Sequence, residues 1–165
     1  SDEVIWPSGT VPAKGDYYCW TEGTSLFAAV PANAWYCKHV HYIASQGVTL
    51  GCTLTEYCPT GVVNRAEMAM FIARAAAGGA TAVPETYHDP VSNLEYSCSQ
   101  ASPQLYFSDI LATDPWCRHA HYLWARQIIN GCSASPPMYC PADPTTRGQM
   151  AKFLVNGFSL SLYGP

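Results

Sequence analysis

Charge is what this sequence has least of. Only 12% of its 165 residues are Asp, Glu, Lys or Arg, against about 25% in an ordinary soluble domain. The 8 basic residues are scattered and the formal net charge is −4. With no run of Lys or Arg to neutralise phosphates, nucleic acid is excluded as a partner. No apolar run approaches the roughly 20 residues of a spanning helix, so no membrane span is expected. Catalytic signatures are missing too. There is no Gly-x-Ser-x-Gly elbow to present a serine. Gly78-Gly79 follows a helical pattern instead of opening one, so it makes no phosphate-binding loop. The acids Asp89, Glu95, Asp109, Asp114 and Asp143 lie scattered through loops and lead-in segments. With no legible nucleophile–base pair, the chain reads as a non-enzyme with no cofactor.

Cysteine and aromatic side chains are plentiful by contrast. The chain has 8 Cys, 11 Tyr and 5 Trp, and 48% of it is hydrophobic. Rigid amphipathic rings suit interfaces, and a surface poor in charge repels its neighbours weakly. An even, high cysteine count points to an oxidising compartment when the cysteines are bridged. The chain begins at Ser1 without Met or an apolar leader, and it is read as a mature form whose export signal has been removed. An extracellular or cell-surface location follows from that reading.

The sequence repeats itself. Trp35-Tyr36-Cys37-Lys38-His39-Val40-His41-Tyr42 matches Pro115-Trp116-Cys117-Arg118-His119-Ala120-His121-Tyr122, with Cys37 and Cys117 in register. Gly51-Cys52 matches Gly131-Cys132 at the same offset. Tyr57-Cys58-Pro59 matches Tyr139-Cys140-Pro141 after a slightly longer second loop, and Asn64-Arg65-Ala66-Glu67 matches Thr146-Arg147-Gly148-Gln149. Phe27 to Val30 pairs with Phe107 to Ile110, and Cys19 and Cys98 stand at comparable places upstream. This is an internal duplication with a long period.

Each copy reads as two helices. The first is expected from Trp35 to Gln46 and from Trp116 to Gln127, with Cys37, Val40, Ile43 and Ala44 as its apolar stripe. The second opens on a capping box, Asn64 with Glu67 and Thr146 with Gln149. Met68, Phe71, Ile72 and Ala75 then follow at helical spacing, as do Met150, Phe153, Leu154 and Gly157. Residues 78–104, rich in Gly and Pro, read as linker and irregular lead-in. Val4-Ile5-Trp6 and Leu160-Ser161-Leu162-Tyr163 read as apolar arms that pack on a neighbouring subunit.

The ordered set of marks resembles the S-layer homology family. It comprises the aromatic start Phe107-Ser108-Asp109-Ile110, the tryptophan-led first helix, the Gly turn, and the Asn64-Arg65-Ala66-Glu67 or Thr146-Arg147-Gly148-Gln149 opening of the second helix. It looks most like a cysteine-bearing variant, with Gly-Cys before the loop and Tyr-Cys-Pro after it. The resemblance implies a mainly α fold of two helix–loop–helix repeats with long irregular connections stapled by disulfides. The expected division is an arm at 1–16, a first repeat at 17–78, a linker at 79–95, a second repeat at 96–159 and a tail at 160–165. The family implies an extracellular module that anchors to cell-wall polysaccharide or builds surface layers.

Bridges are expected at Cys52–Cys58 and Cys132–Cys140, each across one loop. The other four pair most simply within copies, as Cys19–Cys37 and Cys98–Cys117, although eight cysteines allow 105 pairings and this part stays open. A metal site is the alternative, disfavoured because no Cys-x-x-Cys pair occurs. His39 and His41 recur as His119 and His121. On a helix, neighbours two apart point to opposite faces. One of each pair is therefore expected at a packing interface and one on the surface; the sharper alternative is a shared metal or a pH-tuned assembly. Arg65 and Arg147 sit in first helical turns, where a cation is locally unfavourable. They are the best ligand candidates, for a carboxylate-bearing sugar, with Trp35, Trp116 and Asp109 beside them. The competing reading has Asp109 or Glu67 pairing the arginine inside the fold. The function expected is a secreted structural protein that self-assembles into a surface layer or filament, with a polysaccharide-binding anchor as the alternative.

Overall fold

The computed structural model describes residues 27, 30–31, 33–34, 36–45, 48–49, 51–53 and 56–158, without the side chains of residues 38, 42, 45, 147, 151, 152, 154 and 155. The chain divides into two units, Ser1–Gly61 and Val62–Pro165.

The first unit carries α1 (Cys37–Ser45), within the span expected from the apolar stripe. Cys37 and Val40 are buried with Phe27 and Val30, while Ala44 and Tyr57 pack against them. A sharp loop follows. Its Cys52 N–H donates to Glu56 O at 2.8 Å, and the Cys52–Cys58 disulfide closes it.

The second unit begins with α2 (Arg65–Ala77). Its capping box is present as expected: Glu67 N–H donates to Asn64 Oδ1 at 2.9 Å, and Asn64 N–H donates to Glu67 Oε2 at 3.0 Å. Gly78 ends it in the left-handed conformation at φ 93°, its N–H bonding back to Arg74 O. That region is costly for any side chain with a Cβ. A short 3-10 turn (Ala80–Ala82) leads to β1 (Thr86–His88), which pairs antiparallel with β2 (Glu95–Ser97). Next comes α3 (Cys117–Ala125). Strands β3 (Ser133–Ala134) and β4 (Pro137–Met138) form a second hairpin, and α4 (Arg147–Gly157) closes the unit. The α4 capping box is also present, with Thr146 N–H donating to Gln149 Oε1 at 3.1 Å and Gln149 N–H to Thr146 Oγ1 at 3.2 Å. The core gathers Met68, Ala69, Ile72 and Ala73 of α2, Ala120 and Leu123 of α3, and Tyr96, Phe107, Ile110, Ile128, Ile129, Tyr139 and Phe153.

The expected mainly α fold of two helix–loop–helix repeats is not what the structure shows. The described helices have only 9, 13, 9 and 11 residues, and two antiparallel hairpins stand beside them. The helix expected to complete the first repeat, α2, is built into the second unit. The first N–H groups of a helix lack intrahelical acceptors, and the loop before α4 supplies them. Arg65 N–H donates to Asp143 O at 2.8 Å and Ala66 N–H to Pro141 O at 3.0 Å, while Thr145 N–H donates to Val63 O at 3.0 Å. Residues 79–95, read from sequence as linker, hold the 3-10 turn and β1. The hairpin turn is organised by Asp89, whose Oδ2 accepts the N–H groups of Val91 and Ser92 at 3.0 and 2.7 Å. Such a side-chain turn is what Asp does best. Those backbone bonds, led by Ser92, hold the Asp89 carboxyl below the usual range.

Candidate functional site

The polar heart of the second unit is the loop between α3 and α4, bounded by Gly131-Cys132 and Tyr139-Cys140-Pro141. Cys132–Cys140 closes it, and Cys132 N–H donates to Met138 O at 2.8 Å. Asp109 clamps its far end. Both carboxylate oxygens accept backbone bonds, from Tyr139 N–H and Cys140 N–H, each at 2.7 Å. Charge-assisted bonds of this length are the strong ones. Cys140 takes φ 56°, and Cys58 takes φ 55° at the matching place in the first unit.

Arg65 reaches the same residue from the other side. Its Nε donates to Tyr139 O at 2.8 Å and its Nη2 to Asn130 O at 3.4 Å. The Tyr139 hydroxyl donates back to Arg65 O at 2.7 Å. The guanidinium carbon lies 4.7 Å from the centre of the Tyr139 ring, a cation–π arrangement. Burial pushes the Tyr139 hydroxyl well above the usual tyrosine range, with Arg65 opposing. Arg65 is only 5% exposed. The structure thus brings Arg65 and Asp109 onto one residue, Tyr139, without pairing them. Glu67 serves the capping box instead. The first three N–H groups of α2 are all bonded within the protein, to Asp143 O, Pro141 O and Asn64 Oδ1. The local positive potential of that helix end is met by carbonyls.

The other candidate residues separate. Trp116 is half-buried at the start of α3, and its Nε1 has no hydrogen-bond partner among the described residues. The Arg147 side chain and the whole of Trp35 lie outside the described residues. Three bridges stand where expected, at Cys52–Cys58, Cys98–Cys117 and Cys132–Cys140. Cys37 is also disulfide-bonded; its expected partner, Cys19, lies outside the described residues. Among the described residues, two clusters place three ligand-type atoms within 4.8 Å of one another, Cys98 with Cys117 and His121, and Cys52 with Glu56 and Cys58. In both, the two sulfurs are bonded to each other, and a metal takes the thiolate, not the disulfide.

The histidines follow the one-in, one-out expectation in the first unit only. His39 is exposed and His41 buried, whereas His119 and His121 are both buried. The cause is tertiary: α3 is covered by α2 and by the β1–β2 hairpin, so little of its circumference meets solvent. His121 Nδ1 bonds Cys117 O at 2.9 Å, while its Nε2 faces the N–H groups of Tyr106 and Phe107 at 3.0 and 3.3 Å. His119 Nδ1 bonds Pro115 O at 3.2 Å. Burial, then the charges of Arg74 and Arg118, pull His119 down to about 4.

Sequence reasoning assigned no part to Tyr139, Asn130 or the two Gly–Phe contacts. A Cβ on Gly131 would lie 2.9 Å from Phe107 Cε1, and one on Gly51 would lie 2.8 Å from Phe27 Cε1. The signal was present, since Gly51, Gly131, Phe27, Phe107, Tyr57 and Tyr139 all recur between the copies. Among the described residues no helix is long and apolar enough to cross a membrane. The chain matches no protein-family model and no curated protein, so the case for a function is made from its own residues.

Proposed function

We propose that this is a secreted structural subunit that associates with copies of itself in a surface layer or extracellular filament, without catalysis. The observation that carries this reading is apolar exposure on a stapled, sparsely charged chain. Val91 is 91% exposed, Val62 82% and Leu111 64%, on a sequence only 12% charged. Single exposed apolar residues are ordinary, but large ones with few charges around them favour association. The disulfides suit an oxidising exterior, and the resemblance to S-layer homology sequences agrees. Sedimentation velocity across a concentration series, with electron microscopy of the concentrated sample, tests the reading. Polymers or defined oligomers are expected, and Val91→Lys with Leu111→Lys is expected to weaken association by about 10-fold or more. Dispersed monomers of the unsubstituted protein at high concentration would overturn it.

A polysaccharide anchor is the second reading. It is favoured by the flat stack of Tyr106 on Trp124, with ring centroids 4.3 Å apart and planes 15° apart, which leaves Tyr106 exposed. Such a ring joins an apolar face to a polar tip, a combination suited to wet binding surfaces. Co-sedimentation with purified cell wall is the check. On this reading Tyr106→Ser and Arg147→Ala lose most of the bound fraction while keeping the wild-type melting temperature; retention of binding by both variants rejects it.

A further inference from the structure

We propose that residues 106–109 form a latch that the neutral ring of His121 holds shut and that acid opens. This goes beyond the assembly reading and does not depend on it.

Chemistry settles the tautomer. Cys117 O can only accept, so the Nδ1 that lies 2.9 Å from it carries the proton. The N–H groups of Tyr106 and Phe107 can only donate, so Nε2, at 3.0 and 3.3 Å from them, presents its lone pair. The bond to Cys117 O fixes the ring on α3, and the two bonds at Nε2, which require that nitrogen to be unprotonated, tie the lead-in segment to it. A proton there would face two N–H donors, break both bonds, and create a cation in a ring that is 0% exposed.

The surroundings do little to accommodate that charge. Asp109 is the one described carboxylate acting on the ring, and both its oxygens are already bonded to Tyr139 and Cys140 N–H. From β2, Tyr96 packs at 5.7 Å, with its hydroxyl donated to Pro84 O. Phe107 covers another side at 5.2 Å and Trp124 a third at 6.4 Å. From β1, the Tyr87 hydroxyl donates to Asp89. Arg74 of α2 and Arg118 of α3 direct their positive charge at neighbouring His119, and Arg126 lies over Tyr122. Burial lowers the His121 value, while the Cys117 bond and Asp109 oppose it. With the folded value below the free one, the latch is at full strength above about pH 6.5 and weakens as the pH falls below that.

Opening has a defined consequence. Phe107 packs against the ring of Tyr139 at 5.3 Å, and Asp109 two residues on clamps Tyr139 and Cys140. Release of the segment frees the end of the Cys132–Cys140 loop and unstacks Tyr106 from Trp124. The first unit repeats the inner half of the arrangement, with His41 Nδ1 3.0 Å from Cys37 O.

Amide hydrogen exchange by NMR tests the latch in the intact chain. After correction for intrinsic rates, protection at Tyr106 and Phe107 is expected to fall about 10-fold from about pH 7 to about pH 5, while the amides of Met68 to Ala73 in α2 keep theirs. The His121 ring nitrogen shifts should titrate only below the ordinary histidine range. His121→Gln should remove this pH dependence, and His119→Gln should retain it. Should His121→Gln fail to fold, the ring titration and amide exchange of the unsubstituted protein still decide the matter. Constant protection at Tyr106 and Phe107, loss in step with the α2 amides, or loss of the dependence in His119→Gln would each overturn the proposal.

Discussion

A methyl group at Gly131 is expected to unfold the second unit. A Cβ built there would lie 2.0 Å from Met138 O, 2.9 Å from Phe107 Cε1 and 3.1 Å from Met138 C. The nearest obstacle is backbone, and that backbone cannot step aside cheaply. Met138 O accepts the N–H of Cys132 at 2.8 Å, β3 and β4 pair next to it, and the Cys132–Cys140 bridge holds the loop ends together. Relief would require moving Phe107 as well, which is one of the least exposed side chains of the core. Overpacking of this severity costs about 3 kcal/mol or more, a large part of the roughly 5–15 kcal/mol that holds a domain folded. Thermal unfolding of Gly131→Ala should show a melting temperature many degrees lower, or no cooperative transition. Gly148→Ala is the internal comparison. That residue is in the first turn of α4, and its nearest neighbour is Thr146 Oγ1 at 4.0 Å. There Ala has the better helix propensity, and the change should stabilise by about 0.5–1 kcal/mol. If Gly131→Ala melts like the unsubstituted protein, the close approach of loop and lead-in is wrong.

Replacing Arg65 by Ala is expected to cost about 3 kcal/mol of stability, as for the loss of one partner from a buried polar pair. Two carbonyls, Tyr139 O and Asn130 O, lose their charged donor, and the Tyr139 ring loses the guanidinium stacked at 4.7 Å. Arg65→Lys should recover only part of this, because an ammonium is a compact point charge without the planar fork that reaches two carbonyls and covers a ring. Chemical denaturation of both variants with the disulfides intact gives the measurement. An Arg65→Ala variant with unchanged stability and lost wall binding would return Arg65 to the ligand role that the motif suggested. Its near-complete burial argues for the structural one.

Legibility in the sequence followed chain separation. The capping boxes join residues three apart, and both are present. The Cys52–Cys58 and Cys132–Cys140 bridges close short loops with sequence separations of 6 and 8, and the duplication alone sufficed to pair them. The α2 face was less readable. Met68 and Ile72 are buried as the spacing predicts, but Ala66, Ala69 and Ala73 accompany them while Phe71 is only partly covered. A helix that is apolar nearly all round offers no pattern from which to choose a face. The β1–β2 hairpin was hidden because Pro84 before it and Pro90 within its turn make the stretch look irregular, and because three-residue strands are too short for alternation to stand out.

What the sequence determined alone is its local punctuation: where α2 and α4 start, where α2 stops, which short loops are stapled, and that one pattern is written twice. Tertiary structure decided the partners of the polar residues. Arg65 meets Tyr139 and Asn130 at separations of 74 and 65 residues, and His121 meets Tyr106 and Phe107 at 15 and 14. Placing α2 with the second unit depended likewise on the carbonyls of Pro141 and Asp143. The physical reason is that a buried donor must find an acceptor wherever the folded chain brings one. Spacing along the sequence predicts such a partner only when it lies within a turn or two.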